Sequence, residues 1–571
     1  MSKRIPPACP EPDLGVRHWR GLDELEGGPE FQALLEREFP AGASELADPA
    51  SRRDFVKLMG ASLAFAGIGL TGCRRPEETL TPFGRQPEGY VHGVPEFFAT
   101  SMPARTGAVP LVVKQQDGRP VKVEGNEKFP GLGGGTDLHA QASILDLYDP
   151  DRARRHTRGG NAVPLAQVQD FLNQTGRESA AKNGAGLAIL TDHRASPSRD
   201  RLLGLIRQRL PEAKVYADEP VDFDIHRRAA SLATGKAVRP FVRLERARAI
   251  LSLDADFLGT EDEGGRHSRG FAATRRVSTG HDPMSRLYVV EAPLTLTGAA
   301  ADHRLRVASS QTLLVAAALA REILPDGGVK SALAALPAPA GVEAKWITEC
   351  AADLMSQKGR AVVLAGIRQP LAVQLIAHAL NGALDAFGRT VALLESPAPA
   401  AGSLADLAQA LDAGQVETLV ILHGNPVLTA PADLDWPRAQ RKARTVIRLG
   451  YYEDETAEVC DWHLAAAHYL EAWGDTRAAD GTALPVQPLI APLFQGLTEL
   501  EVLARLAGES ATRPYELTRA TFFDLTGGTS EDAWKRFLFD GFLADSAAKP
   551  VEASPDAAAI AKEIAAAPVP A

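Results

Sequence analysis

Residues 361–365 read Ala-Val-Val-Leu-Ala, and residues 366–370, Gly-Ile-Arg-Gln-Pro, follow this apolar run as a turn. A helical pattern then extends over residues 372–387, and a second apolar run, Val-Ala-Leu-Leu, occupies residues 391–394. A short apolar run without polar alternation is typical of a strand that is covered on both faces. The stretch therefore predicts a strand–helix–strand unit of a parallel sheet.

The same alternation recurs in both directions along the chain. Further short apolar runs occupy residues 187–190, 214–216, 249–253, 418–422 and 445–449. Apolar strands that alternate with helical patterns predict the α/β class, with doubly wound, mainly parallel sheets covered on both faces. We expect two such lobes and a small β-rich region before them.

The predicted domain boundaries follow these patterns. They are an N-terminal extension or leader at 1–50, an export signal at 51–73, a β-rich region at 74–160, a first α/β lobe at 180–305, a second α/β lobe at 306–450, a closing region at 451–545 and a disordered tail at 546–571. The tail is predicted to be disordered because it is rich in Ala and Pro with scattered charges.

A β-hairpin is predicted within the β-rich region. Residues 110–114 and 120–124 are strand-like, and Asp117-Gly118 between them is typical of a tight turn. The glycine-rich run at 131–135 resembles a phosphate-binding loop, but it lacks the Gly-Lys-Ser/Thr ending and precedes no clear strand–helix unit. We interpret it as a flexible loop.

Polar residues follow two of the predicted strands. Asp254-Ala255-Asp256 comes directly after the run at 249–253, and His423-Gly424-Asn425-Pro426 comes after the run at 418–422. Ligands of open α/β sheets bind outside the carboxyl ends of the strands. The sequence therefore places candidate binding loops at these two positions.

A bacterial export signal is predicted near the N-terminus. Its recognition residues are Ser51, Arg52, Arg53, Phe55 and Lys57, a twin-arginine pattern of the kind that directs folded proteins across a membrane. The uncharged segment 58–72 is too short for a spanning helix and fits the apolar part of such a signal. Leu-Thr-Gly before Cys73 fits a lipoprotein cleavage site with acylation of that cysteine.

Two features of the leader leave alternatives open. Residues 58–72 would otherwise be a buried core helix, but two arginines are unfavourable at a helix N-terminus and the segment has no polar face. Some fifty residues precede the arginines, so cleavage and lipidation at Cys73 are less strongly indicated than export. Phe31, Leu34, Leu35 and Phe39 form one apolar stripe, either of a docking helix or of a discarded leader.

Composition narrows the function classes. The chain has 571 residues and a net charge of −10, which argues against a surface that follows nucleic-acid phosphates. No Cys-x-x-Cys occurs, so the chain alone cannot provide the usual four cysteines of an iron–sulfur cluster. Cys9 and Cys73 belong to the leader and signal, and a disulfide between Cys350 and Cys460 is allowed but not required.

One candidate metal site is visible. Cys460, His463 and His468 have a C-x2-H-x4-H spacing, which matches zinc ligands, although only three ligands are local. The surrounding stretch is apolar enough to be a packed connector, and we favour structural roles for all three. The sequence contains none of the common catalytic motifs of hydrolases, metalloproteases or dinucleotide-binding enzymes.

Several stretches together resemble molybdopterin oxidoreductases. They are residues 117–126 and 141–152 in the β-rich region, and residues 454–457 and 471–475 in the closing region. The resemblance implies a molybdopterin-oxidoreductase-like fold with two lobes. Catalytic members place cluster-binding cysteines before the Asp117 hairpin and near Thr136-Asp137, and this chain has none there.

A narrower set of stretches is similar to the large periplasmic subunit of bacterial alternative complex III, a quinol oxidoreductase that replaces the cytochrome bc1 complex in some bacteria. These stretches are residues 18–20, 38–40, the internal signal with Cys73, 253–259, 301–304 and 487–493. The molybdopterin-like part of that subunit holds neither molybdenum nor pterin, and its iron–sulfur region lies C-terminal to the part that matches.

The resemblance implies a non-catalytic scaffold and docking subunit. We expect no cofactor and no cluster ligand in this chain, with iron–sulfur, multihaem cytochrome and quinol-binding membrane subunits as partners at the periplasmic face of the cytoplasmic membrane. Whether the iron–sulfur region is a separate chain or a missing continuation stays open. The alternatives are an active molybdopterin-dependent oxidoreductase and a plain lipoprotein binding module.

Overall fold

The computed structural model describes residue 29 and residues 90–104, 107–397 and 401–566. The predicted export signal at 51–73, with Cys73, and the apolar stripe of residues 31–39 lie outside the described residues. By its internal contacts the chain divides into Met1–Tyr90 and Val91–Ala571, and the description below concerns the second unit.

Eighteen strands are found in the described part of the chain. They are β1 Glu96–Pro103, β2 Ala108–Gln116, β3 Arg119–Gly125, β4 His156–Arg158, β5 Asn161–Val163, β6 Leu187–Thr191, β7 Lys214–Ala217, β8 Val238–Val242, β9 Ala249–Leu253, β10 Arg286–Glu291, β11 His303–Arg306, β12 Ala361–Ala365, β13 Val391–Glu395, β14 Thr418–Leu422, β15 Thr445–Gly450, β16 Trp462–Ala465, β17 Gly474–Arg477 and β18 Ala483–Val486.

The α-helices of the described part alternate with these strands from residue 138 onward. They are α1 Leu138–Leu147, α2 Leu165–Ala181, α3 Pro197–Arg209, α4 Ile225–Thr234, α5 Gly264–Arg275, α6 Leu296–Ala299, α7 Thr312–Ile323, α8 Gly328–Ala334, α9 Ala344–Ser356, α10 Leu371–Ala383, α11 Leu404–Asp412, α12 Pro426–Thr429, α13 Trp436–Gln440, α14 Glu455–Glu458, α15 Glu499–Leu506, α16 Pro514–Thr526, α17 Glu531–Asp540 and α18 Ala557–Ala566. None of the described helices has the length and apolar character needed to cross a bilayer.

The β-rich region contains an antiparallel sheet of β1, β2 and β3. Its hairpin is the predicted one, with β2 and β3 joined by Asp117 and Gly118. Both turn residues have positive φ, 49° and 80°, as a type I′ turn requires. The run at 131–135 is a loop without strand or helix, although β3 precedes it and α1 follows it.

Two parallel sheets form the lobes, as the sequence predicts, but the predicted strand–helix–strand unit at 361–394 does not lie in one of them. Strand β13 instead pairs antiparallel with β8 in a separate two-stranded sheet. The larger sheet has the order β5-β4-β16-β15-β14-β6-β7, and its five strands from β16 to β7 are parallel. The smaller sheet has the parallel order β11-β10-β9-β12. Both sheets are doubly wound, because later strands are added on both sides of an early one. Strands β7 and β14 flank β6, and strands β10 and β12 flank β9.

The predicted division of the lobes at 180–305 and 306–450 is wrong. Strand β6 pairs with β14 across about two hundred residues, and β9–β12 form the other sheet between them in the chain. One lobe is therefore inserted into the other. The sequence could not show this, since the central strands β6, β9, β12 and β14 have similar apolar patterns and pairing between distant strands leaves no local trace.

The prediction of a disordered tail from residue 546 is also wrong for residues 546–566. Val551 N donates to Leu393 O at 2.8 Å, and helix α18 follows. Ile560 and Ile564 of that helix are buried in the core of the smaller lobe, together with α7 and α10. Their i, i+4 spacing places them on one face, so the lobe can cover them despite the Ala/Pro-rich composition.

Because α18 closes the core of the smaller lobe, Ile560→Ala is expected to lower the free energy of unfolding by about 2–5 kcal/mol through the cavity it leaves. Ile560 is 1% exposed. Lys562→Ala, on the exposed side of the same helix, is the matched control and should change stability by less than about 0.5 kcal/mol. Urea unfolding of both variants checks this, and equal effects would mean that α18 does not pack as described.

Candidate functional site

The two sheets each have a point where the strand order reverses. In the larger sheet it lies between β6 and β14, and in the smaller sheet between β9 and β12. The loops that leave adjacent strands at such a point diverge to opposite faces and open a crevice, which is where ligands of these folds bind. The candidate loops are therefore 192–196 and 423–425 in one lobe, and 254–259 and 366–370 in the other.

Both sequence-predicted binding loops lie at these reversal points. His423 and Asp254 are the first residues after β14 and β9, and both adopt left-handed backbone conformations, with φ of 64° and 57°. Gly366 faces Asp254 across the second crevice, and a Cβ on that glycine would lie 2.0 Å from Asp254 O. The loops approach each other so closely there that only glycine fits.

Most polar side chains of these loops form hydrogen bonds within the fold, although Asp254 Oδ1 and His423 Nδ1 are buried without a hydrogen-bond partner in the described part of the chain. Asp254 accepts a hydrogen bond from Gln369 Nε2 at 2.9 Å, and burial raises its pKa. Asp256 accepts from Thr297 N at 3.1 Å and from Thr297 Oγ1 at 2.9 Å. Asn425 donates from Nδ2 to Glu455 Oε2 at 2.7 Å. They hold the loops in place.

A cavity of about 1190 Å³ lies between the lobes. The larger lobe lines it with Thr191 and the loop after β6, and the smaller lobe lines it with Ala365 of β12 and His378 of α10. Its volume slightly exceeds the range of about 300–1,000 Å³ that is typical of small-molecule sites. The cavity is the candidate functional site.

Asp192 organises the wall of the cavity that the larger lobe forms. Arg199 Nη1 donates to Asp192 Oδ1 at 2.7 Å, and Arg194 pairs with the other carboxylate oxygen. Arg199 also lies 3.6 Å from Glu499 Oε2, and His423 Nε2 lies 3.8 Å from the same oxygen. Two carboxylates thus balance two arginines at the carboxyl ends of β6 and β14.

The ionisation of this cluster follows from burial and charge together. Burial acts to raise the pKa of Asp192, but Arg194 and Arg199 outweigh it and hold the pKa well below its usual range. Burial and the neighbouring Arg194 lower the pKa of His423 to about 4, so His423 is neutral near pH 7. The cluster is therefore a set of internal ion pairs beside a neutral imidazole.

The arginines around the cavity are mostly compensated by carboxylates of the same cavity. Five such pairs line it: Arg194–Asp192, Arg199–Asp192, Arg227–Asp224, Arg228–Asp222 and Arg266–Glu263. Arg477 instead donates to Gly481 O at 2.8 Å. Arg239, which also lines the cavity, likewise donates to a backbone carbonyl, that of Ala479. A phosphate-bearing cofactor is held by cations and N–H groups that face it, and most of the cations here already have a carboxylate partner.

The cavity also lacks a cysteine thiolate from the described residues that could bind a molybdenum ion held by a pterin. The residues that line the cavity in the described part of the chain include no cysteine. Cys350 is buried in the core of the smaller lobe, where burial raises the pKa of its thiol, and Cys460 packs beside the core of the larger lobe. The cavity therefore offers no cysteine thiolate from the described part of the chain.

The floor of the cavity is a polar stripe that the sequence reading did not single out. Gln374, His378 and Asn381 follow one face of α10 at i, i+4 and i+7, and all three are buried. Asn381 pairs with both backbone groups of Val363, at 2.9 and 2.8 Å. Gln374 Oε1 lies 3.2 Å from His226 Nδ1. The sequence signal that could have identified this stripe is the helical spacing of three polar residues within an otherwise apolar helix.

His378 gives the smaller lobe a pH dependence. Burial, with a smaller effect of His226, lowers the pKa of His378 to about 4 in the folded chain, against about 6.5 when unfolded. Between these values only the unfolded chain binds the proton, so stability is complete above about pH 6.5 and falls as the pH drops towards 4. A shift of this size corresponds to up to about 3 kcal/mol.

Between pH 7 and pH 4, the free energy of unfolding of the parent chain should therefore fall by up to about 3 kcal/mol more than that of His378→Gln. Urea unfolding at both pH values measures this difference. Asn381→Leu is the control on the same helix. It removes two hydrogen bonds and no titrating group, so its loss of stability should be the same at both pH values. A His378→Gln curve parallel to that of the parent would contradict the assignment.

The zinc spacing of Cys460, His463 and His468 does not form a metal centre in the part of the chain that the structure describes, since no group of three candidate ligands there is close enough together. His463 is buried on β16, and His468 accepts from Leu470 N at 3.3 Å. The disulfide between Cys350 and Cys460 is not formed, as both are free thiols in different lobes.

The sequence reading missed Asp192, Arg194, Arg199 and Glu499. The rule that selects Asp254 and His423 also applies to Asp192, the first residue after β6. Glu499 carried no comparable signal, because it begins a helix far from the other three in the chain.

Comparisons with known proteins agree with this architecture. No family model matches the chain. Acetylene hydratase from Pelobacter acetylenicus superposes with a TM-score of 0.55 at 12% identity, over 72% of this chain and 68% of that one. The chain has a molybdopterin-oxidoreductase-like fold.

One protein of similar sequence also has a molybdopterin-related name. The menaquinone reductase, molybdopterin-binding-like subunit of Nitratidesulfovibrio vulgaris is 25% identical over 441 residues. The match covers 70% of this chain and 62% of the relative, so the chain spans less than two thirds of the relative's length.

Proposed function

We propose that the chain is a non-catalytic scaffold and docking subunit of a membrane-associated respiratory quinol:electron-acceptor oxidoreductase of the alternative complex III type. Its relative carries the name of a menaquinone reductase subunit that is molybdopterin-binding-like. In this proposal the lobes hold partner subunits, and electrons pass through iron–sulfur clusters and haems of those partners.

The observation that carries the proposal is the internal compensation of charge in the cavity between the lobes. Arg194 and Arg199 share Asp192, and the three other arginine pairs of the cavity wall are likewise closed within the chain. A cofactor with phosphates would have to separate these pairs, and each separated pair would leave a partly buried charge without a partner. Ion pairs of the chain itself thus stand where the fold would bind a cofactor.

Localisation is part of the same proposal. The twin-arginine pattern of Arg52 and Arg53 would direct the folded chain to the periplasmic face of the cytoplasmic membrane, and acylation at Cys73 would attach it there. One acyl chain gives only marginal binding, so a second attachment is needed.

An active molybdopterin-dependent oxidoreductase is the second candidate, and one observation favours it. The cavity of about 1190 Å³ is lined by one loop from the reversal point of each sheet, residues 192–195 after β6 and Ala255 with Phe257 after β9, where such a fold would bind its cofactor. In that case the ion pairs around Asp192 would have to rearrange on binding.

Analysis of molybdenum and oxidised pterin in the full chain, isolated from native membranes with its co-purifying subunits, tests the proposal. We expect neither, together with cytochrome and quinol-binding subunits. A molybdopterin enzyme from the same cells, analysed in parallel, controls for loss of pterin. Near-stoichiometric molybdenum with pterin would support the second candidate, and isolation without cytochrome or quinol-binding subunits would instead favour a plain lipoprotein.

A further inference from the structure

Two exposed phenylalanines lie at one side of the N-terminal β-rich region. Phe97 of β1 is 60% exposed and Phe539 near the end of α17 is 74% exposed. A single exposed phenylalanine is ordinary in a folded protein, whereas a cluster of exposed apolar side chains marks an interaction surface. The two must therefore be shown to lie together.

Strand register places Phe97 beside two lysines. Phe97 is paired with Lys114 of β2, and Lys114 is paired with Lys122 of β3. Residues directly opposite each other in an antiparallel sheet project from the same face, with Cβ atoms about 5 Å apart. A phenylalanine and two lysines thus cross the sheet in one row.

The end of α17, which carries Phe539, lies against the same face. Ala99 lies two residues after Phe97 and therefore projects from the same face, and a Cβ on Gly541 would lie 2.8 Å from Ala99 Cβ. Gln487 Nε2 donates to Leu538 O at 3.0 Å and also to Ala99 O, which fixes the helix end against β1. The helix end that carries Phe539 therefore packs against β1 two residues from Phe97.

A third lysine covers the second ring. Lys128 Nζ lies 4.0 Å from the centroid of the Phe539 ring and 3.1 Å from Asp540 Oδ1. Lys122 forms a similar pair with Glu124 at 3.2 Å. Both pairs join half-exposed side chains, and such pairs contribute little and exchange easily with other anions. We name Phe97, Phe539, Lys114, Lys122 and Lys128 the aromatic–lysine patch.

The chain that precedes the patch indicates what covers it. Only sixteen residues, 74–89, separate Cys73 from Tyr90, and the patch begins seven residues after Tyr90. Even fully extended, this connection reaches roughly 60 Å. If Cys73 carries a lipid, the β-rich region is the described part that follows the lipid most closely in the chain and stays within this distance of the membrane, and marginal anchoring by one acyl chain leaves a role for a second contact.

We propose that the aromatic–lysine patch rests on the membrane surface, with both phenylalanine rings at headgroup depth and the three lysines facing anionic phospholipid headgroups. Aromatic side chains and lysines together are typical of interfacial membrane contacts. The inference rests on the proposed export and membrane attachment of the chain. It gives the scaffold a defined orientation, with the β-rich region towards the bilayer.

Photo-crosslinking in native membranes tests the contact with the full chain in its complex. Phe539→p-benzoylphenylalanine should yield a phospholipid adduct after irradiation. Leu296→p-benzoylphenylalanine is the control, because Leu296 is similarly exposed, at 65%, on the smaller lobe. It should yield no lipid adduct. An adduct of position 539 with a partner polypeptide or a second copy of the chain, or no adduct at all, would overturn the membrane contact.

Vesicle flotation supplies an independent readout. The full chain with Cys73→Ser is mixed with vesicles of phosphatidylethanolamine and phosphatidylglycerol. Phe97→Ser with Phe539→Ser should reduce the bound fraction by about tenfold, whereas Leu294→Ser with Leu296→Ser should leave it unchanged. Equal binding of the two double variants would count against the patch. The molybdenum and pterin content is measured separately, so failure of the patch does not affect the scaffold assignment.

Discussion

Glu471→Ala is expected to lower the free energy of unfolding by about 3–5 kcal/mol, the largest effect of a single substitution considered for this chain. Arg152 Nη2 donates to Glu471 Oε2 at 2.7 Å, and Arg152 Nη1 donates to Glu471 Oε1 at 3.2 Å. The two residues are each 4% exposed. Without the carboxylate, the guanidinium of Arg152 would remain buried and unpaired.

Glu471 has further partners that the alanine variant would also lose. His468 N and Leu493 N donate to its two oxygens at 2.8 and 2.9 Å. Arg152 follows α1 in the β-rich region, and Glu471 belongs to the closing region, so the pair joins these two parts. Urea unfolding followed by circular dichroism measures the loss.

Glu453→Ala is the matched control, because Glu453 pairs with Arg155 at 3.4 Å between side chains that are 43% and 56% exposed. An exposed pair of this kind contributes about 0–1 kcal/mol. If Glu471→Ala proved no more destabilising than Glu453→Ala, the buried pair would not hold the β-rich region as described.

Asp192→Asn should lower the free energy of unfolding by about 3 kcal/mol at pH 7. The change keeps the shape of the side chain but leaves Arg194 and Arg199 with no charged partner other than Glu499, which lies 3.6 Å from Arg199. Because these residues line the cavity between the lobes, the measured loss reports directly on the ion pairs on which the scaffold proposal rests.

The pH dependence of the Asp192 contribution has a defined sign. The folded-state pKa of Asp192 is held well below its usual range by Arg194 and Arg199 against the opposing effect of burial. The stabilisation is therefore present above the unfolded pKa of about 3.9 and is lost as the pH falls towards the folded value. The difference between the parent chain and Asp192→Asn should narrow below about pH 4.

Asp412→Asn is the control for this charge, since Asp412 and its partner Lys442 are both exposed, at 61% and 39%. It should change stability by less than about 1 kcal/mol. An Asp192→Asn variant as stable as Asp412→Asn would mean that the cavity arginines do not depend on Asp192, and a cofactor could then compete for them.

The local elements were predictable because their signals are local. The apolar runs at 249–253 and 361–365 became strands β9 and β12, and the helical pattern at 372–387 became α10, which ends at Ala383. The hairpin turn at Asp117-Gly118 followed from the backbone conformations that Asp and Gly tolerate. These features depend on residues within about ten positions of one another.

The candidate site was predictable only in part. Asp254 and His423 were selected because they follow strands, and the structure places both at reversal points. In the structure, Asp254 accepts a hydrogen bond from Gln369, and the cavity wall is formed instead by Asp192 and its arginines. A rule for strand ends identifies which loops converge but not which side chains remain exposed to the space between them.

The α/β class, the strands and the hairpin can be predicted from local patterns, because burial of an apolar run and the conformational preference of a turn are properties of short segments. The pairing of β6 with β14 across two hundred residues, the packing of α18 on the smaller lobe and the meeting of Asp192 and Glu499 at Arg199 depend on the folded chain as a whole. Such contacts depend on apolar surface and charge buried over the whole chain, and a segment read alone carries no record of its distant partner.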